Sequence, residues 1–103
     1  MTSDELKNLP EWESALLHLE QNHPQYLAQL LKSQKLSERL NQKVRDCLKL
    51  ELVLQKRCPK ASRDQIVEMR DAEMFPVNPN EEQPLNPQEQ NQLEEFKRKN
   101  GIQ

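Results

Sequence analysis

From Lys35 to Arg57 the chain runs without a glycine or a proline. Proline would remove a helical N–H and glycine would cost backbone entropy, so a run free of both favours one long helix. Its second half, Leu48-Lys49-Leu50-Glu51-Leu52-Val53-Leu54, is apolar nearly all round. A helix of that kind has to be covered from more than one direction. Leu36, Leu40, Val44, Leu48 and Leu52 recur every four residues. A helix turns once in about 3.6 residues, so this stripe drifts and the buried face wraps around the axis. The alternation from Leu48 to Leu54 also fits a strand. No second segment looks like a pairing strand, and Leu, Lys and Glu favour helix.

The rest of the composition points the same way. A single glycine, Gly101, argues against a β-rich fold, whose hairpin turns depend on that residue. The expected fold is all-α. With 103 residues there is room for one small domain. Hydrophobic residues make up 34% of the chain, below the ~45–50% of ordinary globular proteins. Sixteen leucines supply most of that, against four aromatics, Trp12, Tyr26, Phe75 and Phe96. The core is therefore aliphatic and small. Either part of the chain stays outside it, or association supplies the missing burial.

Prolines punctuate the helices. Pro10 opens the first, where its missing N–H is not needed, and Leu9, Trp12, Leu16 and Leu19 give it one apolar face. Asn22-His23-Pro24 ends it and starts a second, faced by Tyr26, Leu27, Leu30 and Leu31. A break is expected at Lys32-Ser33-Gln34, because Ser competes for local backbone bonds. The long third helix stops at Cys58-Pro59. Ser62-Arg63-Asp64-Gln65 reads as a capping box that opens a fourth helix, ending at Phe75-Pro76. Residues 76–87 hold four prolines and three asparagines and read as an extended, mobile linker. Asn86-Pro87-Gln88-Glu89 caps a last helix that closes at Asn100-Gly101. The expected organisation is a bundle of about four helices over residues 1–75, the linker, and a C-terminal helical arm over 88–103.

The net charge of −2 conceals strong segregation. Residues 1–31 carry −4, residues 32–63 carry +7 and residues 64–103 carry −5. No stretch approaches the ~20 apolar residues of a membrane span. The first residues, Met1-Thr2-Ser3-Asp4-Glu5, lack the basic and apolar run of a signal peptide. Cytoplasmic residence is the expectation. Cys47 and Cys58 lie eleven residues apart, roughly 16 Å along one helix, too far for a disulfide. Both are expected as thiols, Cys47 in the core and Cys58 more exposed.

Little here supports catalysis. His18 and His23 flank a helix end, with no Cys-x-x-Cys or His-x-x-x-His spacing for a metal. Glu11, Glu13 and Glu20 read as ordinary complements to a helix dipole. There is no glycine-rich phosphate loop and no Gly-x-Ser-x-Gly elbow. No catalytic residue, metal or cofactor is expected, and the function is read as binding. The leading candidates for contact with a protein partner, or with a second copy, are Leu50, Val53 and Leu54 on the third helix and Leu93 and Phe96 on the arm. The alternative is a nucleic-acid-binding regulator. Lys32, Lys35, Arg39 and Lys43 share a helix face, and Lys56, Arg57, Lys60 and Arg63 cluster beyond it, as phosphate contacts would require. The plainer reading of these cations is a solvated face balanced by the acidic segments. Residues 24–40 approach a helix-turn-helix, but Glu38 and Asn41 fall where that motif wants apolar side chains.

Tyr26-Leu27-x-x-Leu30-Leu31-x-Ser33-Gln34-Lys35-Leu36-x-x-x-Leu40 resembles the TnpV proteins, small helical proteins carried on bacterial transposons. Their pattern has a glycine where this chain has Gln34. The resemblance implies an accessory role on a mobile element or phage and assigns no activity or site residue.

Overall fold

Helices alternate with short turns in the order α1 (Ser3–Lys7), α2 (Pro10–Asn22), α3 (Pro24–Ser33), α4 (Leu36–Arg57), α5 (Arg63–Met74) and α6 (Pro87–Lys99). The computed structural model describes residues 3–76 and 83–101. Among these there is no strand, and the all-α expectation holds. The helix from Lys35 to Arg57 and both capping boxes also fall where the residues place them. At α5, the Gln65 N–H donates to Ser62 Oγ at 3.2 Å and the Ser62 N–H to Gln65 Oε1 at 3.0 Å. At α6, the Glu89 N–H donates to Asn86 Oδ1 at 2.7 Å and the Asn86 N–H to Glu89 Oε1 at 3.1 Å. Each pair satisfies N–H groups that a helix start leaves without partners.

One helix was not expected. The five residues of α1 are too few to hold helix alone. Leu6 is fully buried, and α1 packs on α2 and α4. Burial rather than local propensity accounts for it.

The break between α3 and α4 lies where expected, but its cause differs. Gln34 takes the left-handed conformation, with φ 60°, the one positive φ among described residues other than glycine. The Lys35 N–H donates to the Leu30 carbonyl at 3.0 Å and the Gln34 N–H to the Leu31 carbonyl at 3.3 Å. This is a Schellman turn, which ends a helix by satisfying its last carbonyls. Ser33 Oγ adds a bond to the Leu30 carbonyl.

The main core joins Leu6, Trp12, Leu16, Leu27, Leu36, Leu40 and Val44, with Leu85 and Leu93 closing over it. Asn41 sits among them and accepts a 3.0 Å hydrogen bond from the Trp12 indole N–H. That bond is why a polar residue stands at a core position. Cys47, Leu54 and Ile66 are also buried but lie outside this cluster, where α4 packs on α5.

The α4–α5 contact also holds a buried charge cluster. Arg70 of α5 reaches Glu11 of α2 at 2.8 Å and also binds Glu51 of α4, and all three side chains are buried. Asp71 and Arg63 bind the same cluster from its exposed edge. Burial acts to lower the Arg70 pKa, but hydrogen bonds to Asp71 and Glu11 outweigh it and hold the guanidinium above its ordinary value. Three helices are thus pinned by ions that cannot be separated cheaply.

The linker expectation, 76–87, falls partly on residues 77–82, which lie outside those described. Residues 83–86 are irregular but not detached, since Leu85 is buried in the main core.

Candidate interaction surfaces

The residues expected at a partner interface separate into two groups. Leu93 is buried in the main core, and Phe96 stacks on Trp12 with ring centroids 5.7 Å apart and planes 13° from parallel. Lys97 pairs with Glu20 of α2 at 3.3 Å, and Lys32 of α3 with Glu89 of α6 at 3.5 Å. The C-terminal arm is therefore docked on its own body, and its apolar edge needs no second molecule. Leu54 is likewise covered by the chain itself, where α4 meets α5, and Leu50 is half-buried. Val53 is different, 41% exposed, and the neighbouring Leu52 is 60% exposed. Leu52 belonged to the drifting stripe. By the fourth repeat the drift has carried it off the buried side.

Leu52 and Val53 do not stand alone. Arg45, Lys49, Lys56 and Arg57 are all exposed on the same outer side of α4, at three- and four-residue spacings that make neighbours on a helix. No described carboxylate pairs with any of these four cations. The result is a small aliphatic patch in a cationic frame. Lys60 extends the frame past the helix end, also exposed and without an ion pair among the described residues.

The basic stripe read from the sequence is divided by the fold. Lys32 and Arg63 are spent on Glu89 and Glu51. Lys35 is exposed at the start of α4. Lys56, Arg57 and Lys60 belong to the far end, beside Leu52 and Val53. Arg39 and Lys43 instead line a cleft of about 360 Å³ where α2, α3, α4 and the end of α5 converge. Opposite them are His18, His23 and Tyr26, over a floor of Ala15, Leu19 and Leu40. His18 Nε2 donates to the Pro76 carbonyl at 2.9 Å, and its ring meets those of His23 and Phe75 at 5.6 Å each. Lys43 Nζ lies 5.6 Å from the Phe75 centroid, a cation–π contact. Neither Arg39 nor Lys43 has an ion pair among the described residues.

The cysteines are where the spacing put them. Cys47 is fully buried and Cys58 half-buried, and both are free thiols. Burial pushes the Cys47 thiol above its ordinary pKa, more than the nearby Arg70 and Lys43 pull it down. Among the described residues, no three His, Cys, Asp or Glu side chains gather as a metal site would require, and no helix is long and apolar enough to cross a membrane. The cleft and the buried charge cluster were not legible in the sequence. Their residues come from segments far apart in the chain, 59 positions in the case of Arg70 and Glu11.

Comparison with protein-family models, with curated proteins and with solved structures finds no match to this chain.

Proposed function

We propose that this protein is a non-enzymatic interaction module that docks an acidic protein partner on the outer face of α4. One observation carries the reading. Leu52 and Val53 are exposed at the centre of a frame of cations, Arg45, Lys49, Lys56 and Arg57, that have no carboxylate partners among the described residues. Burying the aliphatic pair would repay desolvation of the rim, and the uncompensated cations select a partner of opposite charge. This surface is smaller than the one expected from the apolar run, because Leu54, Leu93 and Phe96 are consumed at home.

Nucleic acid is the second reading, and the unpaired cations from Lys35 to Lys60 favour it. A phosphate backbone gains nothing from Leu52 and Val53, however, whereas a protein partner does. An accessory or inhibitory role on a mobile element or phage fits either partner. The glycine of the TnpV pattern, where this chain has Gln34, would suit the left-handed turn at that position.

The test is recovery of the tagged protein from its host with whatever it binds. A Leu52→Glu/Val53→Glu variant that keeps its circular dichroism should lose an acidic partner that a Leu17→Glu variant, altered on another exposed face, retains. Equal recovery by both variants would contradict the proposal. Retention of the parent on an oligonucleotide at ~50 mM salt, unchanged in the Leu52→Glu/Val53→Glu variant, would favour the second reading.

A further inference from the structure

The cleft between α2, α3, α4 and α5 is separate from that docking face. It uses Arg39, Leu40 and Lys43 of α4, none of which belongs to the proposed interface. Its volume, about 360 Å³, lies near the lower end of the ~300–1,000 Å³ typical of small-ligand clefts. Its chemistry is divided by position. One wall carries two cations, Arg39 and Lys43, one helical turn apart and both half-buried. The floor is aliphatic, and the opposite wall is aromatic, with His18, His23 and Tyr26. Glu73, the one carboxylate in the lining, pairs with neither cation. Such a cleft suits a ligand with a compact anionic end and a flat apolar end.

We propose that this cleft binds a nucleoside monophosphate, with the phosphate between Arg39 and Lys43 and the base over Leu19 against Tyr26. A phosphate monoester carries about −1.5 to −2 charges near neutral pH. That charge matches two cations better than a single carboxylate would. The guanidinium can give two parallel hydrogen bonds to phosphate oxygens, and the ammonium acts as a point charge beside it. A planar base gains from aromatic walls that a fully aliphatic pocket would not offer. Tyr26, 40% exposed beside an apolar floor, has its ring available for that contact.

The experiment is calorimetric titration of the intact protein with adenosine monophosphate, adenosine and inorganic phosphate at ~50 mM salt, where charge contacts are least screened. The monophosphate should bind with Kd below about 1 mM, and adenosine and phosphate each at least tenfold more weakly. An Arg39→Gln/Lys43→Gln variant with unchanged circular dichroism should lose binding at least tenfold. Should that variant fail to fold, nuclear magnetic resonance of the parent decides. The ring signals of His18, His23 and Tyr26 should move together on titration with the monophosphate. No binding of the monophosphate at several mM would overturn the proposal, as would adenosine binding equally well. Phosphate binding as tightly as the nucleotide would remove the base subsite and overturn it as stated. Because Arg39 and Lys43 lie outside the Leu52–Val53 patch, failure here leaves the docking surface untouched, and the reverse is also true.

Discussion

Leu40 and Leu52 are twelve residues apart on one helix, yet one is sealed at the centre of the bundle and the other is 60% exposed. The first half of α4 is enclosed by α1, α2 and α3 and feeds the main core through Leu36, Leu40 and Val44. In the second half, Leu54 is buried outside that core with Ile66 of α5, and an ion cluster, Glu11, Arg70 and Glu51, ties the same helices to α2. One sequence feature, an apolar stripe at four-residue spacing, therefore has two fates. Where helices surround α4 on several sides, the drift of the stripe is accommodated. Where the cover narrows, the drift leaves side chains in solvent, available to another molecule.

Arg70 should give the largest effect on that division. Arg70→Met leaves Glu11 buried and unpaired and Glu51 with the exposed Arg63 alone, and breaking a buried ion cluster this way costs about 3–5 kcal/mol. Urea unfolding should show that loss at neutral pH. Next come matched truncations in the two halves of α4. Leu40→Ala should cost about 3–4 kcal/mol and Leu54→Ala about 2, since Leu54 lies outside the main core. Equal costs would erase the proposed difference between the halves. Removing the cap of α5 is milder. Ser62→Ala should cost about 1 kcal/mol and should raise amide exchange in α5 more than in α2.

Smaller still is the Leu52→Glu/Val53→Glu variant, expected within about 0.5 kcal/mol of the parent because both side chains are exposed. A loss above ~2 kcal/mol would mean that the pair is buried in solution. The cysteines report the same contrast as a slope with pH. Above the ordinary thiol pKa of 9.0 the unfolded chain ionises at Cys47 while the folded chain holds its proton. The unfolded state then binds fewer protons, so stability should fall as pH rises past that point and be unaffected by this group below it. A thiol reagent should label Cys58 first and Cys47 only as the protein unfolds.

Local signals made much of this fold readable. Pro10, Pro24 and Pro87 each open a helix, and Ser62 and Asn86 close their capping boxes within four residues. Turns and caps are decided by neighbours in the chain, so neighbours suffice to find them. What stayed hidden depends on distant residues. The arm docks because Phe96 finds Trp12 and Lys97 finds Glu20, 77 positions away. Asn41 is a flaw in the helix pattern until the Trp12 indole is placed beside it. Gln34 carries no sign of its left-handed turn, since glycine is the residue that normally marks one. The candidate interface was legible in part. Val53, a contact candidate from the sequence, is exposed, whereas Leu52 reads as core because it continues the stripe of Leu40 and Val44.

The most direct test of the division within α4 is site-specific photo-cross-linking in the host cell, with a benzophenone side chain at Leu52 and, separately, at Leu17, which is 51% exposed on α2. The outer face of α4 as a docking surface predicts a discrete protein adduct from position 52, absent from position 17 and lost when Lys49 and Lys56 are changed to Glu. Equal adducts from both positions, or none from position 52, would contradict it.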